Sequence, residues 1–343
     1  MSTYSLVDPQ LKPLLESYPE LKLEHHTLQE VRDRRQNAAL QNAAVDDGLA
    51  VTVREQIITP KEGATPVRVL IVSAKNADPA CMGILHLHGG GYIFGSPEQS
   101  LSLTRATAAR QNCVIVSVDY RLAPESPYPA ALDDSFAALV WMTNNAEKLD
   151  INPQSIGVMG DSAGAGLAAA LALYTRDHNG PKLAFQNLMF PMLDDRTVVE
   201  SHPNPVTGEF VWTRQCNAFG WEAYLSGRSS ETQRQPLETL AKALAAGTDC
   251  QQRPGDEKVS CYAAAARAED LQGLPPVWIG VGSIDLFLDE DMDYAKRLIR
   301  AGVEVELNVY PGAFHGFNGS SDAEIANRAR ESRQRSLGRF KPN

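Results

Sequence analysis

Short runs rich in β-branched residues, each closed by Gly, Pro or Asp, alternate along this chain with longer stretches of helical periodicity, and that alternation limits the possible folds more than any other feature. The runs lie at residues 67–72, 83–87, 114–118, 156–159, 277–281 and 303–309, with a further strand-like segment at 185–192. Helical patterns occupy 101–110, 129–146, 163–175 and 289–301. Near-continuous apolar strands interleaved with helices predict an α/β fold, a mostly parallel central sheet flanked by helices. A sheet of this kind carries its chemistry at the carboxyl ends of its strands, so motifs are sought just after them.

Two regions break the alternation. The first, at the N-terminus, is charged, Leu-rich and helical in character. The second follows the 185–192 segment and gathers Phe210, Trp212, Phe219, Trp221 and Tyr224, a dense group for a chain with 7% aromatic residues, so it needs an apolar face of its own. Inside it, Leu237, Leu240, Ala241 and Leu244 form one stripe between Pro236 and Gly247, the pattern of a short amphipathic helix. No internal repeat or low-complexity tract is present.

A net charge of −10 argues against nucleic acid or an anionic membrane surface as a partner. Residues 1–19 carry Asp8, Glu16 and prolines where a secretory leader needs an unbroken apolar run, and the most apolar stretch, 167–174, is too short for a membrane span. A cytoplasmic location is therefore expected. The five cysteines form no CxxC pair, so no metal site is expected; only Cys250 and Cys261 lie close enough in one polar segment to suggest a bridge.

Gly160-Asp161-Ser162-Ala163-Gly164 stands directly after the 156–159 strand and before an alanine-rich helix. In that setting the pattern describes a tight turn that projects the Ser162 hydroxyl and leaves the Ala163 amide at a helix N-terminus, where a negative charge is favoured. Upstream, His88-Gly89-Gly90-Gly91 closes the 83–87 strand. Three consecutive glycines cost backbone entropy, and they fit a loop whose amides approach a substrate oxygen.

With Asp119 to Glu125, Gly273-Leu274-Pro275-Pro276, Val281 to Asp285 and Tyr310 to Phe317 added in order, the chain resembles the hormone-sensitive-lipase-like branch of the α/β-hydrolases from about Val67 to Phe317. The resemblance implies an α/β-hydrolase core (46–195 and 266–343) under a helical cap (1–45 and 196–265). It assigns Ser162 as nucleophile, Asp285 as acid, His315 as base, and the amides of Gly90, Gly91 and Ala163 as the oxyanion hole. Asp285 is also the acid that its place just past the 277–281 strand selects, whereas Asp289, Glu290, Asp291 and Asp293 read as helix-favouring charges in the first turn that follows. His315 sits in a loop flanked by Gly312 and Gly316 that can reach a neighbouring strand end.

The remaining motif residues read as supports. His88 orients the glycine loop, Gly89 lets it pass close to its neighbours, and Asp161 and Glu125 brace loops through hydrogen bonds. His86 reads as a core residue, and His25, His26, His178 and His202 as surface residues. Departures from the family pattern are small: Ala165-Gly166 stands where Gly-Asn is common, and Leu286-Phe287 where Pro-Leu is common. The 227–260 excursion is longer than this cap usually has.

The expected activity is hydrolysis of short- to medium-chain or aryl carboxylic esters through an acyl-enzyme, with no cofactor or metal, a small-molecule ester as partner, and a possible homodimer. Only neutral imidazole can serve as base, so activity should rise with pH. An amidase, lactonase or deacetylase would use the same triad. A small-ligand receptor on the same fold is the rival of another class, since gibberellin receptors resemble this family yet lack the triad histidine.

Overall fold

Residues 2–18, 21–43, 48–60, 65–226, 252–320 and 322–342 are described in the computed structural model. Eight strands form one sheet: β1 (Val51–Ile58), β2 (Val67–Ala74), β3 (Cys81–Leu87), β4 (Val114–Asp119), β5 (Ile151–Asp161), β6 (Gln186–Met189), β7 (Val277–Gly282) and β8 (Val305–Tyr310). Their order is β1-β2-β4-β3-β5-β6-β7-β8. β2 runs antiparallel to both its neighbours, and every other adjacent pair is parallel. This is the α/β-hydrolase fold expected from the sequence.

The helices among the described residues are α1 (Lys12–Ser17), α2 (Leu28–Ala43), α3 (Leu101–Gln111), α4 (Ala130–Asn144), α5 (Ala163–Asp177), α6 (Arg214–Leu225), α7 (Leu288–Arg300) and α8 (Glu324–Gly338). Alternation along β3 sends successive side chains to opposite faces. Ile84 joins Ala108 of α3 and Leu337 of α8 on one side, while Leu85 and Leu87 join Leu139 of α4 and Ala168 of α5 on the other. α5 is buried almost all round because Ala and Gly dominate it, so it can lie deep against β5 without a polar face.

Two elements depart from the sequence expectation. β1 was not foreseen because four of its residues in a row are exposed, leaving no inside–outside alternation; it pairs with β2 at the edge of the sheet. α8 was not foreseen because its outward face is dense in charge. Its buried positions, Ile325, Ala326, Ala329, Arg333 and Leu337, nevertheless recur at helical spacing. Cys250 and the 236–247 segment lie outside the described residues, so the expected bridge and amphipathic helix do too.

The N-terminal segment packs in two places. Val7 and Leu11 enter a cluster with Trp278, Tyr310 and Phe314 beside β7 and β8. Further on, α2 crosses the loop after β3, where Arg32 donates to the carbonyls of Ile93 (2.7 Å) and Ala123 (2.8 Å) and pairs with both oxygens of Glu125 (2.8 Å each).

Candidate active site

The turn between β5 and α5 forces Ser162 to φ +56°, a left-handed conformation costly for a side chain with a Cβ. The surrounding backbone over-determines it. Ser162 N–H donates to the Met189 carbonyl (2.9 Å), and the Ser162 carbonyl accepts from the amides of Ala165, Gly166 and Met192. The turn closes only because glycine stands on either side: a Cβ on Gly164 would lie 2.2 Å from the Leu87 carbonyl oxygen, and one on Gly160 would lie 2.4 Å from that of Gly164.

Ser162 Oγ lies 2.9 Å from His315 Nε2, and His315 Nδ1 lies 2.9 and 3.1 Å from the two oxygens of Asp285. A carboxylate there only accepts, so Nδ1 carries the proton and Nε2 turns its lone pair to the hydroxyl. Asp285 is fully buried in the turn after β7, with Oδ1 also accepting from the Phe287 amide (3.0 Å). His315 is 7% exposed and enclosed by the rings of Phe190, Phe287 and Trp212. Strand ends β5, β7 and β8 thus bring together the three side chains singled out in the sequence.

The glycine loop lies against the serine. A Cβ on Gly89 would stand 3.5 Å from that of Ser162, and Gly91, at φ +59°, is crossed so closely by Trp212 that a Cβ would lie 2.2 Å from the indole. Among the described residues, nothing accepts from the amides of Gly90, Gly91 or Ala163. His88 is buried beneath the loop, stacked on Tyr120 at 4.1 Å, with Nδ1 donating to the Gly89 carbonyl (3.0 Å). Burial lowers its pKa to about 4, so it stays neutral and holds the loop as a dipole rather than a charge.

Asp161 braces the turn through a residue the sequence did not single out. Arg333 of α8, 1% exposed, reaches Asp161 (2.7 Å), Asn187 Oδ1 (2.6 Å) and the Gly160 carbonyl (3.2 Å). The available signal was an arginine falling on the buried stripe of a charged helix. Glu125 braces the β4 loop by its pairing with Arg32, and His86 meets Ser117 of the adjacent strand in register (2.8 Å), as a core residue should.

Two expectations need correction. Asp289 and Asp293 are exposed at the start of α7, but Glu290 and Asp291 are buried rather than set out to complement the helix dipole. Glu290 accepts from the Leu193 amide (2.7 Å) and the Thr197 hydroxyl, and burial pushes its carboxyl well up, as it does for Asp291, which has no hydrogen-bond partner among the described residues. His25 is half-buried against Phe219 (4.8 Å between rings), because α6 presents that ring to the N-terminal segment. His26, His178 and His202 are exposed.

Above the serine is a cavity of about 890 Å³. Its apolar wall includes Phe94, Met189, Phe190 and Trp212, and Tyr18, Leu21 and Arg35 line it from the N-terminal segment. The described residues contain no cluster suited to a metal ion and no helix long and apolar enough to cross a membrane.

A serine in a tight turn at the end of β5, a histidine after β8 and an acid after β7 are the arrangement of an α/β-hydrolase. Residues 84–319 match the family model described as the alpha/beta hydrolase fold, and the chain belongs to the hormone-sensitive-lipase-like esterase family within it. It is 32% identical to the carboxylesterase NlhH of Mycobacterium tuberculosis over 91% of this chain and 88% of that one. With an arylesterase of Saccharolobus solfataricus it shares 28% identity over 92% and 93% of the two chains. Among solved structures, a bacterial heroin esterase superposes over 100% of both chains with a TM-score of 0.86 and 31% identity.

Proposed function

We propose that this chain is a serine carboxylesterase acting on short- to medium-chain or aryl carboxylic esters. The observation that carries the reading is the continuous line Ser162 Oγ, His315, Asp285, at 2.9 Å per link, beside backbone amides with no acceptor among the described residues. Its relatives' shared chemistry, as a carboxylesterase, an arylesterase and a heroin esterase, supports it.

In this mechanism Ser162 Oγ attacks the ester carbonyl carbon as its proton passes to His315 Nε2. The amides of Gly90, Gly91 and Ala163 donate to the developing oxyanion, each such donor being worth about 3 kcal/mol in the transition state. Asp285 fixes the tautomer and stabilises the imidazolium. Collapse breaks the ester C–O bond, and His315 returns the proton to the departing alkoxide. Water then attacks the acyl-enzyme with His315 again as base, releasing the acid and restoring Ser162.

The cap assignment, 1–45 with 196–265, belongs to this reading, as do a cytoplasmic location and a homodimer joined through exposed helices or an edge strand. Labelling with a fluorophosphonate followed by peptide mass spectrometry tests the core of it. A single adduct on Ser162 and turnover of p-nitrophenyl esters falling beyond medium chain length are expected. No adduct, or best activity on long chains at a lipid interface, overturns it.

A further inference from the structure

In a chain of net charge −10, the described residues lining the cavity include four arginines and only two carboxylates. Three of the arginines already have partners. Arg333 holds Asp161 (2.7 Å) and Arg110 holds Glu331 (2.6 Å), so both carboxylates are neutralised within the wall. Arg330 donates to the carbonyls of Asn318 (2.6 Å) and Ser320 (2.5 Å) and to Asn327 Oδ1 (2.6 Å). Arg35 differs. Its Nε is buried with no hydrogen-bond acceptor, and among the described residues no carboxylate pairs with it.

What Arg35 does have is the face of Phe94, 4.3 Å from its guanidinium carbon to the ring centroid. A ring face offsets part of the cost of placing a cation there, but it leaves the N–H groups without acceptors. Arg32, one turn earlier on α2, shows a guanidinium with its donors in use, bound to two carbonyls and both oxygens of Glu125. Water can serve Arg35 while the cavity is solvated. A substrate that displaces that water must bring an acceptor of its own, or binding leaves a charge uncompensated in a largely apolar wall.

The position of Arg35 relative to the reacting serine is fixed by the rings between them. Phe94 is anchored to the glycine loop, its amide donating to the Gly90 carbonyl (3.1 Å); it meets Trp212 edge-on at 6.2 Å, and Trp212 lies 6.4 Å from the His315 ring. Arg35 therefore faces the same cavity as Ser162, two aromatic rings away from the histidine. An anion bound there would belong to a part of the substrate remote from the scissile bond. We infer that Arg35 is a specificity-determining residue that selects esters bearing a carboxylate at the end away from the reacting carbonyl; this rests on the esterase reading above.

The test compares kcat/KM within two pairs of substrates. Mono-4-nitrophenyl adipate against its methyl ester places the carboxylate on the acyl side, and 4-acetoxybenzoate against its methyl ester places it on the alcohol side. The wild-type protein is expected to favour the acid in one pair by roughly tenfold or more, mainly through KM, and that pair identifies the side that meets Arg35. Arg35→Gln should erase the ratio, Arg35→Lys should keep part of it, and raised ionic strength should shrink it. Methyl esters favoured in both pairs by the wild-type protein, or a ratio that survives Arg35→Gln, overturns the inference while leaving the esterase reading intact. If Arg35→Gln does not fold, the wild-type and Arg35→Lys ratios still decide. No hydrolysis of any member of either pair overturns the esterase reading, and this inference falls with it.

Discussion

The turns beneath the reacting serine and the segments that wall the cavity above it are held by different forces. Below, backbone packs on backbone: Gly164 passes so near Leu87 that no side chain fits, and four main-chain hydrogen bonds fix Ser162. Above, the N-terminal segment and the α6 region are joined to the body largely by side chains. Arg32 grips Glu125 and Ser96 donates to Gln36 (2.8 Å), while within the upper part Ser2 and Thr3 bind Glu209 and His25 rests on Phe219. Backbone contacts tolerate no adjustment, whereas side-chain tethers can be exchanged one at a time. On the proposed mechanism the lower part therefore fixes what reaction is possible, and the upper part sets which substrate undergoes it.

Substitutions in the two parts should differ in kind. The largest effect belongs to the reacting line: Ser162→Ala, His315→Ala or Asp285→Asn should each lower turnover by about 10⁴-fold with the fold intact, measured by burst-corrected kinetics beside circular dichroism. Near-normal turnover in any of them would remove that residue from the mechanism. Gly164→Val should come next, with loss of about 3 kcal/mol or more of stability in urea titration, since Cβ has only carbonyl backbone to displace. Arg32→Met, in the upper part, should cost about 1–2 kcal/mol and raise KM several-fold while kcat moves less. An equal loss in kcat would show that the upper segment also sets the chemistry.

The smallest effect is one of pH. Asp291 is buried with no hydrogen-bond partner among the described residues and its pKa is raised in the folded state, so its contribution to stability is full below the unfolded carboxyl value near 4 and declines as pH rises towards the folded value. Asp291→Asn should therefore raise the melting temperature more at pH 9 than at pH 5, by about 2 °C or more. His88 acts on the other limb. Its pKa is lowered from 6.5 to about 4, so the stability it contributes is present above pH 6.5 and lost as pH falls towards 4. Differential scanning fluorimetry across pH separates these cases.

What could be read in the sequence follows the same division. Ser162, Asp285 and His315 were legible because each sits just after a strand, in a turn whose glycines announce close approach. The central strands were legible because burial on both faces leaves an unbroken apolar run. β1 was not, since an exposed edge strand shows no alternation, and neither was Arg333, whose charge concealed its place on a buried stripe. Glu290 and Asp291 were misread because nothing local distinguishes a buried acid from its exposed neighbours Asp289 and Asp293. Arg35 is of this type too: among the described residues no carboxylate pairs with it, and only packing reveals that.

The grip of Arg333 on Asp161 and the Gly160 carbonyl has a consequence for biosynthesis. The strand, turn and helix around Ser162 leave the ribosome long before α8 is made, so for about half the translation of this chain the serine turn lacks its buttress. Hydrolytic competence should therefore appear only once Asp285, His315 and α8 have all joined that turn.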